Sequence, residues 1–211
     1  MHDNWVDKAM LFELLQMALG YPERAAAEAL ASGEYAEALA EAVVACGMGE
    51  ELAGAVKADL AAYAGRDAEG LWHELRVEYT RMFVGTPEML VAPFAGIWYA
   101  QEVGVDPLLF VNKESMAVER TMKACGLVRP EGTNEPLDHI ATECEFLNYL
   151  CLARAGAVEG AAVPEGAYED FYGERFAWWK DRFATAVLAE AHGGLLLAGA
   201  RVLAALPGEV L

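Results

Sequence analysis

Apolar residues recur at helical spacing along almost the whole chain, and glycine or proline separates one run from the next. The first run covers residues 4–19 and ends at Gly20, and runs rich in alanine and glutamate follow at 34–46 and 50–64. Alanine favours helix, and a glycine just beyond the last turn is a common C-terminal cap. No stretch alternates apolar and polar residues between turn signals, so the pattern predicts an all-α fold.

The same signals predict the helices of the rest of the chain. Their ranges are 67–85, 112–126, 136–155, 164–193 and 194–206. Asp67 and Asn112 stand where an N-terminal cap is expected, and Pro136 suits a first helical position because its missing N–H is unpaired there anyway. The range 164–193 carries a stripe of aromatic residues, and an apolar C-terminal helical segment follows it.

Prolines interrupt the helical pattern in the middle of the chain. Pro87, Pro93 and Pro107 predict a long connecting loop, or a pair of short turns, over about 86–110. This segment also holds several aromatic residues, which makes it too apolar for a flexible linker. We expect one all-helical domain over 1–211, with one candidate point of subdivision at the polar link near 127–135.

Composition restricts the partners that this chain could bind. Its 15 Lys and Arg residues stand against 33 Asp and Glu residues, which gives 211 residues a formal net charge of −18. A field of that sign repels nucleic acid phosphates and anionic lipid head groups, and it attracts basic ligands. We therefore predict no nucleic acid partner.

Cysteine usage and the apolar runs predict a cytoplasmic protein. The four cysteines form no CxxC pair and lie on apolar helical patterns, as reduced core residues do: Cys46, Cys125, Cys144 and Cys151. The first residues lack the basic and apolar regions of a signal peptide. The apolar run at 193–206 is too short to cross a bilayer and contains Arg201, so we expect no stable membrane insertion.

The first of two informative motifs covers residues 78–85, Glu-Tyr-Thr-Arg-Met-Phe-Val-Gly. Tyr79, Met82 and Phe83 form an aromatic and aliphatic stripe, and Trp72 lies further back on the same predicted helix. Such a stripe is usually part of a core. Because this one ends at the apolar 86–110 segment, it also has the makings of an adaptable groove for a peptide. The sequence leaves both interpretations open.

The second motif covers residues 134–143, Asn-Glu-Pro-Leu-Asp-His-Ile-Ala-Thr-Glu. Asp138 falls at about the third helical position, where its carboxylate can accept backbone N–H groups. His139 and Glu143 are four residues apart on one helical face and could hydrogen-bond each other. Residues 131–145 contain five acidic residues and no Lys or Arg, and such a cluster could receive an arginine side chain.

Catalytic and cofactor signals are weak by comparison. The sequence has no GxSxG, no glycine-rich phosphate loop and no second His or acidic helix motif of the di-iron kind. We therefore predict no catalytic residue, no metal and no cofactor. The alternative is a small helical enzyme that uses Asp138, His139 and Glu143 for acid–base or metal chemistry.

Together the two motifs resemble those of the TorD/DmsD group of molybdoenzyme-specific chaperones, with the NarJ nitrate reductase chaperones as cousins. The resemblance implies an all-helical cytoplasmic chaperone that is a monomer or a dimer. Its partner would be the twin-arginine signal peptide of a redox enzyme catalytic subunit, usually molybdopterin-dependent. Binding would delay export until the cofactor is loaded, and some members of the group also bind the partner's mature body.

The resemblance also assigns residues to client-peptide binding. The hydrophobic contact positions are Tyr79, Met82 and Phe83, to which we add Trp72. The hinge positions are Glu135, Pro136, Asp138 and His139, and Glu143 completes the motif. This chain departs from the group at 92–98, Ala-Pro-Phe-Ala-Gly-Ile-Trp, where relatives often carry a Pro-Pro-Tyr-Glu-Ser-like run. The identity of the partner enzyme therefore stays open.

Overall fold

The computed structural model describes residues 4–85, 89–107, 112–128, 136–208 and 211, most of which lie in helices. The α-helices are α1 Trp5–Leu19, α2 Arg24–Ser32, α3 Glu34–Ala45, α4 Glu50–Leu60, α5 Ala68–Tyr79, α6 Ala95–Val103, α7 Lys113–Ala124, α8 Ile140–Arg154, α9 Ala167–Phe171, α10 Ala177–Glu190 and α11 Gly194–Ala205. A 3₁₀ turn, Ala61–Tyr63, extends α4, and π-helical turns follow α5 at Thr80–Val84 and α9 at Tyr172–Phe176. Strand-type pairing within the described residues is limited to one antiparallel bridge, Phe94 with His139, so the all-α prediction is confirmed.

The core is built around α1, which packs along α8 and against α3 and α11. Phe12 of α1 makes edge-to-face contacts with three rings of the aromatic stripe, Tyr168, Tyr172 and Phe176, at centroid distances of 6.4, 6.4 and 6.1 Å. All four side chains are buried. Burial of one such ring contributes about 1.5–3 kcal/mol, so the stripe predicted over 164–193 is the core face of the C-terminal helices.

Two local capping signals are confirmed. The Asp67 carboxylate accepts a hydrogen bond from the Gly70 N–H at 2.7 Å and begins α5. The Asn112 side chain accepts from the Ser115 N–H, also at 2.7 Å, and begins α7. Each cap lies three residues from its donor, which is why the sequence pattern could show it.

The long connecting loop predicted over about 86–110 is wrong over Ala95–Val103, because α6 lies there. Phe94 precedes the helix in extended conformation, and Gly104 ends it with a φ of 71°. The N-terminal cap of α6 is supplied by Asp138, which is 42 residues away from the Gly96 N–H that it accepts. No local sequence pattern could indicate a cap of that kind.

The helix predicted to begin at Pro136 begins instead at Ile140, with His139 as its N-terminal cap. Asp138 therefore lies in the turn before the helix rather than at its third position. The cause is pairing with another segment: the Ile140 N–H donates to the Pro93 carbonyl at 2.9 Å, which holds His139 extended. The candidate subdivision near 127–135 falls mostly outside the described residues.

Two findings bear on the compartment predictions. Within the described ranges, no helix combines the length and apolar character needed to cross a bilayer. The four cysteines are free of disulfides, and three of them, Cys125, Cys144 and Cys151, are buried. Those three are core residues, as predicted.

Candidate functional site

The three hydrophobic residues of the first motif are buried in this structure. Tyr79, Met82 and Phe83 have 8%, 0% and 3% of their surface exposed. The Phe83 ring stacks on Phe183 of α10 at 5.8 Å, and Tyr79 lies edge-on to Phe83 at 5.0 Å. In this conformation the stripe belongs to the core, and a peptide would not reach these side chains directly.

Trp72 lies one to two turns before the stripe and is only partly buried. Its indole N–H donates to the Pro22 carbonyl at 2.9 Å. The Arg76 guanidinium lies 5.0 Å from the Trp72 ring and 5.4 Å from the Tyr21 ring. Trp72 therefore fastens α5 to the segment between α1 and α2.

Asp138 of the second motif joins α8 to α6. Its Oδ2 accepts from the Gly96 N–H at 2.8 Å, and its backbone carbonyl accepts from the Ala95 N–H at 2.9 Å. With the bond from Ile140 to Pro93, these contacts form what we call the motif bridge. Asp138 is fully buried, and burial raises the pKa of its carboxyl group, although the Gly96 hydrogen bond opposes that effect.

His139 links the two motifs. Its Nδ1 accepts from the Ala141 N–H at 3.1 Å, so the proton of the neutral ring is on Nε2, which lies 3.1 Å from the Tyr79 hydroxyl. The ring also packs edge-on against Phe94 at 5.1 Å. Burial lowers the pKa of His139 to about 4, so the ring is neutral at physiological pH.

The hydrogen bond that the spacing of His139 and Glu143 would allow is not formed, because each side chain has other partners. Glu143 is buried, and its Oε2 accepts from the Trp179 indole N–H at 3.1 Å. Burial raises the pKa of Glu143 well above 4.5. Since Asp138 and Glu143 are both enclosed, neither contributes to an exposed acidic cluster in this structure. Pro136 is also buried, and Glu135 lies outside the described residues.

Two charged residues of the first motif have a role that the sequence analysis missed. Glu78 accepts from the backbone N–H groups of His192 and Gly193, at 2.8 and 3.3 Å, and pairs with Arg81. Arg81 donates to the Glu190 carbonyl at 2.7 Å. This corner pair therefore places an anion at the start of α11 and a cation at the end of α10, which suits both helix dipoles. The three-residue spacing of Glu78 and Arg81 was its only local signal.

An apolar groove of about 370 Å³ begins where the first motif ends. Its lining residues are Val84, Met89, Leu90, Val91, Ala92, Ile97, Trp98, Gln101 and Ala186. Val84 and Leu90 are 55% and 50% exposed, so the groove presents apolar side chains at the surface. The groove is thus formed by the last turn of the first motif, the 89–92 segment, α6 and α10.

Two hydrogen bonds fix the wall of the groove. The Val91 N–H donates to the Met82 carbonyl at 3.0 Å, and the Trp98 indole N–H donates to the Ala92 carbonyl at 2.8 Å. Three residues of the motif bridge, Pro93, Ala95 and Gly96, lie between Val91 and Trp98 in the sequence. The sequence indicated the apolar character of the 86–110 segment and the departure at 92–98, which holds Ala92, Ile97 and Trp98, but it did not indicate a groove.

The described side chains offer no metal centre: no three of their His, Cys, Asp and Glu groups are arranged to hold an ion. The two motifs instead place an apolar groove beside a set of buried hydrogen bonds.

Comparison with known proteins shows which family this chain belongs to. The family described as the nitrate reductase delta subunit matches residues 49–185, which include both motifs and every groove residue except Ala186. This chain belongs to that family. The resemblance to the TorD and NarJ group is thereby confirmed.

Individual relatives agree with the assignment. The chain is 27% identical over 135 residues to the chaperone protein TorD of Vibrio parahaemolyticus, which covers 63% of this chain and 60% of the relative. It is 32% identical over 79 residues to TorD of Photobacterium profundum, over 37% of this chain and 34% of that protein. The chain thus spans about 60% of the length of the TorD relatives that align over most of it.

A solved structure supports the fold over nearly the whole chain. A crystal structure from Archaeoglobus fulgidus, described as a redox enzyme maturation protein, superposes with a TM-score of 0.51. The match covers 93% of this family member and 91% of the other chain at 19% identity. At that identity the likeness concerns the fold alone.

Proposed function

We propose that this protein is a cytoplasmic chaperone that binds the twin-arginine signal peptide of a partner redox enzyme. The partner would be a molybdopterin oxidoreductase, and binding would delay its export until the cofactor is loaded. The observation that carries the proposal is the apolar groove, which starts at Val84 in the last turn of the first motif and is tied to the second motif through the motif bridge. Membership of the delta subunit family and the TorD relatives support it.

The two parts of such a leader match two properties of this protein. A twin-arginine leader has a basic stretch followed by an apolar stretch. The apolar stretch fits a groove lined by Val84, Leu90, Ile97 and Trp98, where its burial would supply most of the affinity. The basic stretch is attracted by the net charge of −18, mainly as a long-range effect on association.

The residues predicted from the sequence take supporting positions in this proposal. Tyr79, Met82 and Phe83 back the groove, since Met82 holds Val91 and Phe83 stacks against α10, which contributes Ala186. A peptide would contact them only if the groove deepens on binding. Trp72 and the described hinge positions Pro136, Asp138, His139 and Glu143 would act through the packing of the helices.

A pair of matched substitutions tests the groove. Val84→Asp places a carboxylate in the groove, and Val6→Asp places the same group on α1 at a valine with nearly equal exposure, 55% against 57%. The probe is a synthetic peptide with two adjacent arginines followed by an apolar stretch, titrated calorimetrically. We expect Val84→Asp to weaken binding by roughly tenfold or more, since an apolar contact is replaced by a charge that must be desolvated.

The control decides how this result is interpreted. Val6→Asp adds the same negative charge to the molecule, so it should bind the peptide as the wild type does. Equal loss in both variants, or no loss in Val84→Asp, would contradict the groove as the binding site. The enzymatic alternative requires Asp138, His139 and Glu143 to act together. The structure does not favour it, because His139 and Glu143 contact different partners.

A further inference from the structure

Asp138 is fully enclosed, yet it is bonded to the segment that forms the wall of the apolar groove. Its Oδ2 accepts the Gly96 N–H at 2.8 Å, and its carbonyl accepts the Ala95 N–H at 2.9 Å. Ala92 and Ile97, which line the groove, lie immediately on either side of this contact. A carboxylate in that position cannot touch a peptide in the groove, but it can fix the wall against which the peptide would pack.

From this arrangement we infer that Asp138 is a positioning residue for the apolar groove, holding its 89–98 wall in place through the motif bridge instead of binding an arginine of the client. The inference rests on the proposed binding of a peptide in the groove. It identifies hydrogen-bond acceptance at Gly96, and not negative charge, as the property of Asp138 that matters for the client.

The surroundings of Gly96 support a fixed wall. A Cβ at Gly96 would lie 2.5 Å from the Asn112 side chain, so α6 and the start of α7 approach closely at this residue. Ser115, one turn into α7, accepts from the Leu137 N–H at 2.9 Å. The N-terminal ends of α6, α7 and α8 therefore lie close together at Asp138, so the Asp138 contact supports the start of α6.

Two substitutions of Asp138 distinguish the effect of its hydrogen-bond acceptance from the effect of its negative charge. Asp138→Asn keeps an oxygen that can accept the Gly96 N–H but removes the charge, whereas Asp138→Ala removes both. We expect Asp138→Ala to weaken binding of the twin-arginine peptide by roughly tenfold, the equivalent of one buried hydrogen bond, and Asp138→Asn to restore most of that loss. If the side chain bound an arginine, both variants would lose affinity equally, and that result would overturn the inference.

A second variant reaches the same contact from the other side. Gly96→Ala changes no charge, but its Cβ would displace Asn112 and open the motif bridge. We expect it to reproduce the affinity loss of Asp138→Ala, and the two losses should not add in the double variant because both break one contact. Full affinity in folded Gly96→Ala would overturn the inference, and this variant also serves if Asp138→Ala does not fold.

The wall can be followed without any peptide. The indole N–H of Trp98 and the amides of Ala95 and Gly96 are hydrogen-bonded in the wall, and their exchange with solvent can be measured by NMR. Exchange should be faster in Asp138→Ala and close to wild type in Asp138→Asn. Unchanged exchange in Asp138→Ala would overturn the inference. A wild-type protein that binds no peptide but shows this exchange pattern would instead contradict the proposed function alone.

Discussion

At the scale of single residues, Glu143 shows what burial does to a carboxyl group. The side chain is enclosed between α8 and α10, and the hydrogen bond from Trp179 is the contact that favours its charged form most. Desolvation outweighs that bond and raises the pKa well above 4.5. The group therefore binds a proton in the folded state at pH values where it would be ionised in the unfolded chain.

The first prediction concerns Glu143→Gln and pH. Because the folded-state pKa is raised, unfolding releases a proton between that pKa and 4.5, so the wild type gains stability as the pH falls through this window. Each pH unit between the two pKa values adds about 1.4 kcal/mol. The glutamine variant keeps an acceptor for Trp179 and lacks this dependence. The measurement is urea unfolding of both proteins at pH 8, 6.5 and 5. At pH 8 the free energy of unfolding of the variant should be at least that of the wild type. Relative to the wild type, it should be lower at pH 5 than at pH 8.

A constant difference between the two proteins across this range would mean that the pKa of Glu143 is not raised. His139 has the opposite effect on the pH dependence of stability. Because burial lowers its pKa to about 4, its contribution to the stability of the fold decreases as the pH falls. Comparing the two proteins at each pH cancels that contribution, since both retain His139.

At the scale of helices, the corner pair of Glu78 and Arg81 determines how α10 meets α11. The pKa of Glu78 is lowered to about 2, mainly by Arg81 and also by the N–H groups of His192 and Gly193. Although both residues belong to the first motif, neither side chain takes part in the core stripe. Their contacts with the ends of α10 and α11 explain why the first motif carries two charged residues beside Tyr79, Met82 and Phe83.

The second prediction follows from this lowered pKa. A carboxylate with a depressed folded-state pKa stabilises the fold above its unfolded value of 4.5, and the effect is lost as the pH falls toward 2. Glu78→Gln should therefore cost about 2 kcal/mol at pH 7 and much less near pH 2.5. Glu74→Gln, at an exposed ion pair with Arg66, is the control and should change stability little. Equal effects at both positions would contradict the capping role.

The third prediction concerns the approach of α11 to α4. A Cβ at Gly194 would lie 2.0 Å from the backbone oxygen of Asp59, so Gly194→Ala must move a helix and should cost about 1–3 kcal/mol. Gly54→Ala, on the exposed face of α4 with open space around it, should stabilise the protein by about 0.5–1 kcal/mol. Thermal and urea unfolding of both variants measure the difference. A Gly194→Ala protein as stable as the wild type would show that the contact is looser.

At the scale of the whole molecule, charge and groove would make separable contributions to binding of the proposed client peptide. The excess of 33 acidic over 15 basic residues is spread along the chain, and most described Lys and Arg side chains are already paired. Attraction between exposed charges is screened beyond about 8 Å at physiological ionic strength, whereas apolar burial is not.

The fourth prediction is a modest salt dependence of peptide binding. Between low salt and about 0.5 M salt, affinity for the twin-arginine peptide should fall about three- to tenfold, as expected for two exposed charge pairs of about 0.2–1 kcal/mol each. A peptide with both arginines replaced by glutamine is the control and should lose little. Affinity abolished by salt would argue against the groove, and affinity insensitive to salt would argue against the electrostatic contribution.

The helices that the sequence predicted are those specified by neighbouring residues. Glycine stops, the caps at Asp67 and Asn112, and the aromatic stripe of the C-terminal helices all act within a few turns, so their pattern is visible in the chain. Helix α6 was missed because its cap comes from Asp138. The start of α8 was misplaced because residues 138–140 pair with 93–95.

The sequence by itself determined the all-α class, the acidic charge and the two motifs, because each depends on composition or on residues close in the chain. Only the tertiary structure decided which motif side chains are enclosed, since burial depends on the helices that pack over them. It also decided that Asp138 bonds to Gly96 across 42 residues and Glu78 to Gly193 across 115. Local spacing carries no information about such contacts, and the apolar groove is lined by residues of the first motif, α6 and α10 that are far apart in the chain.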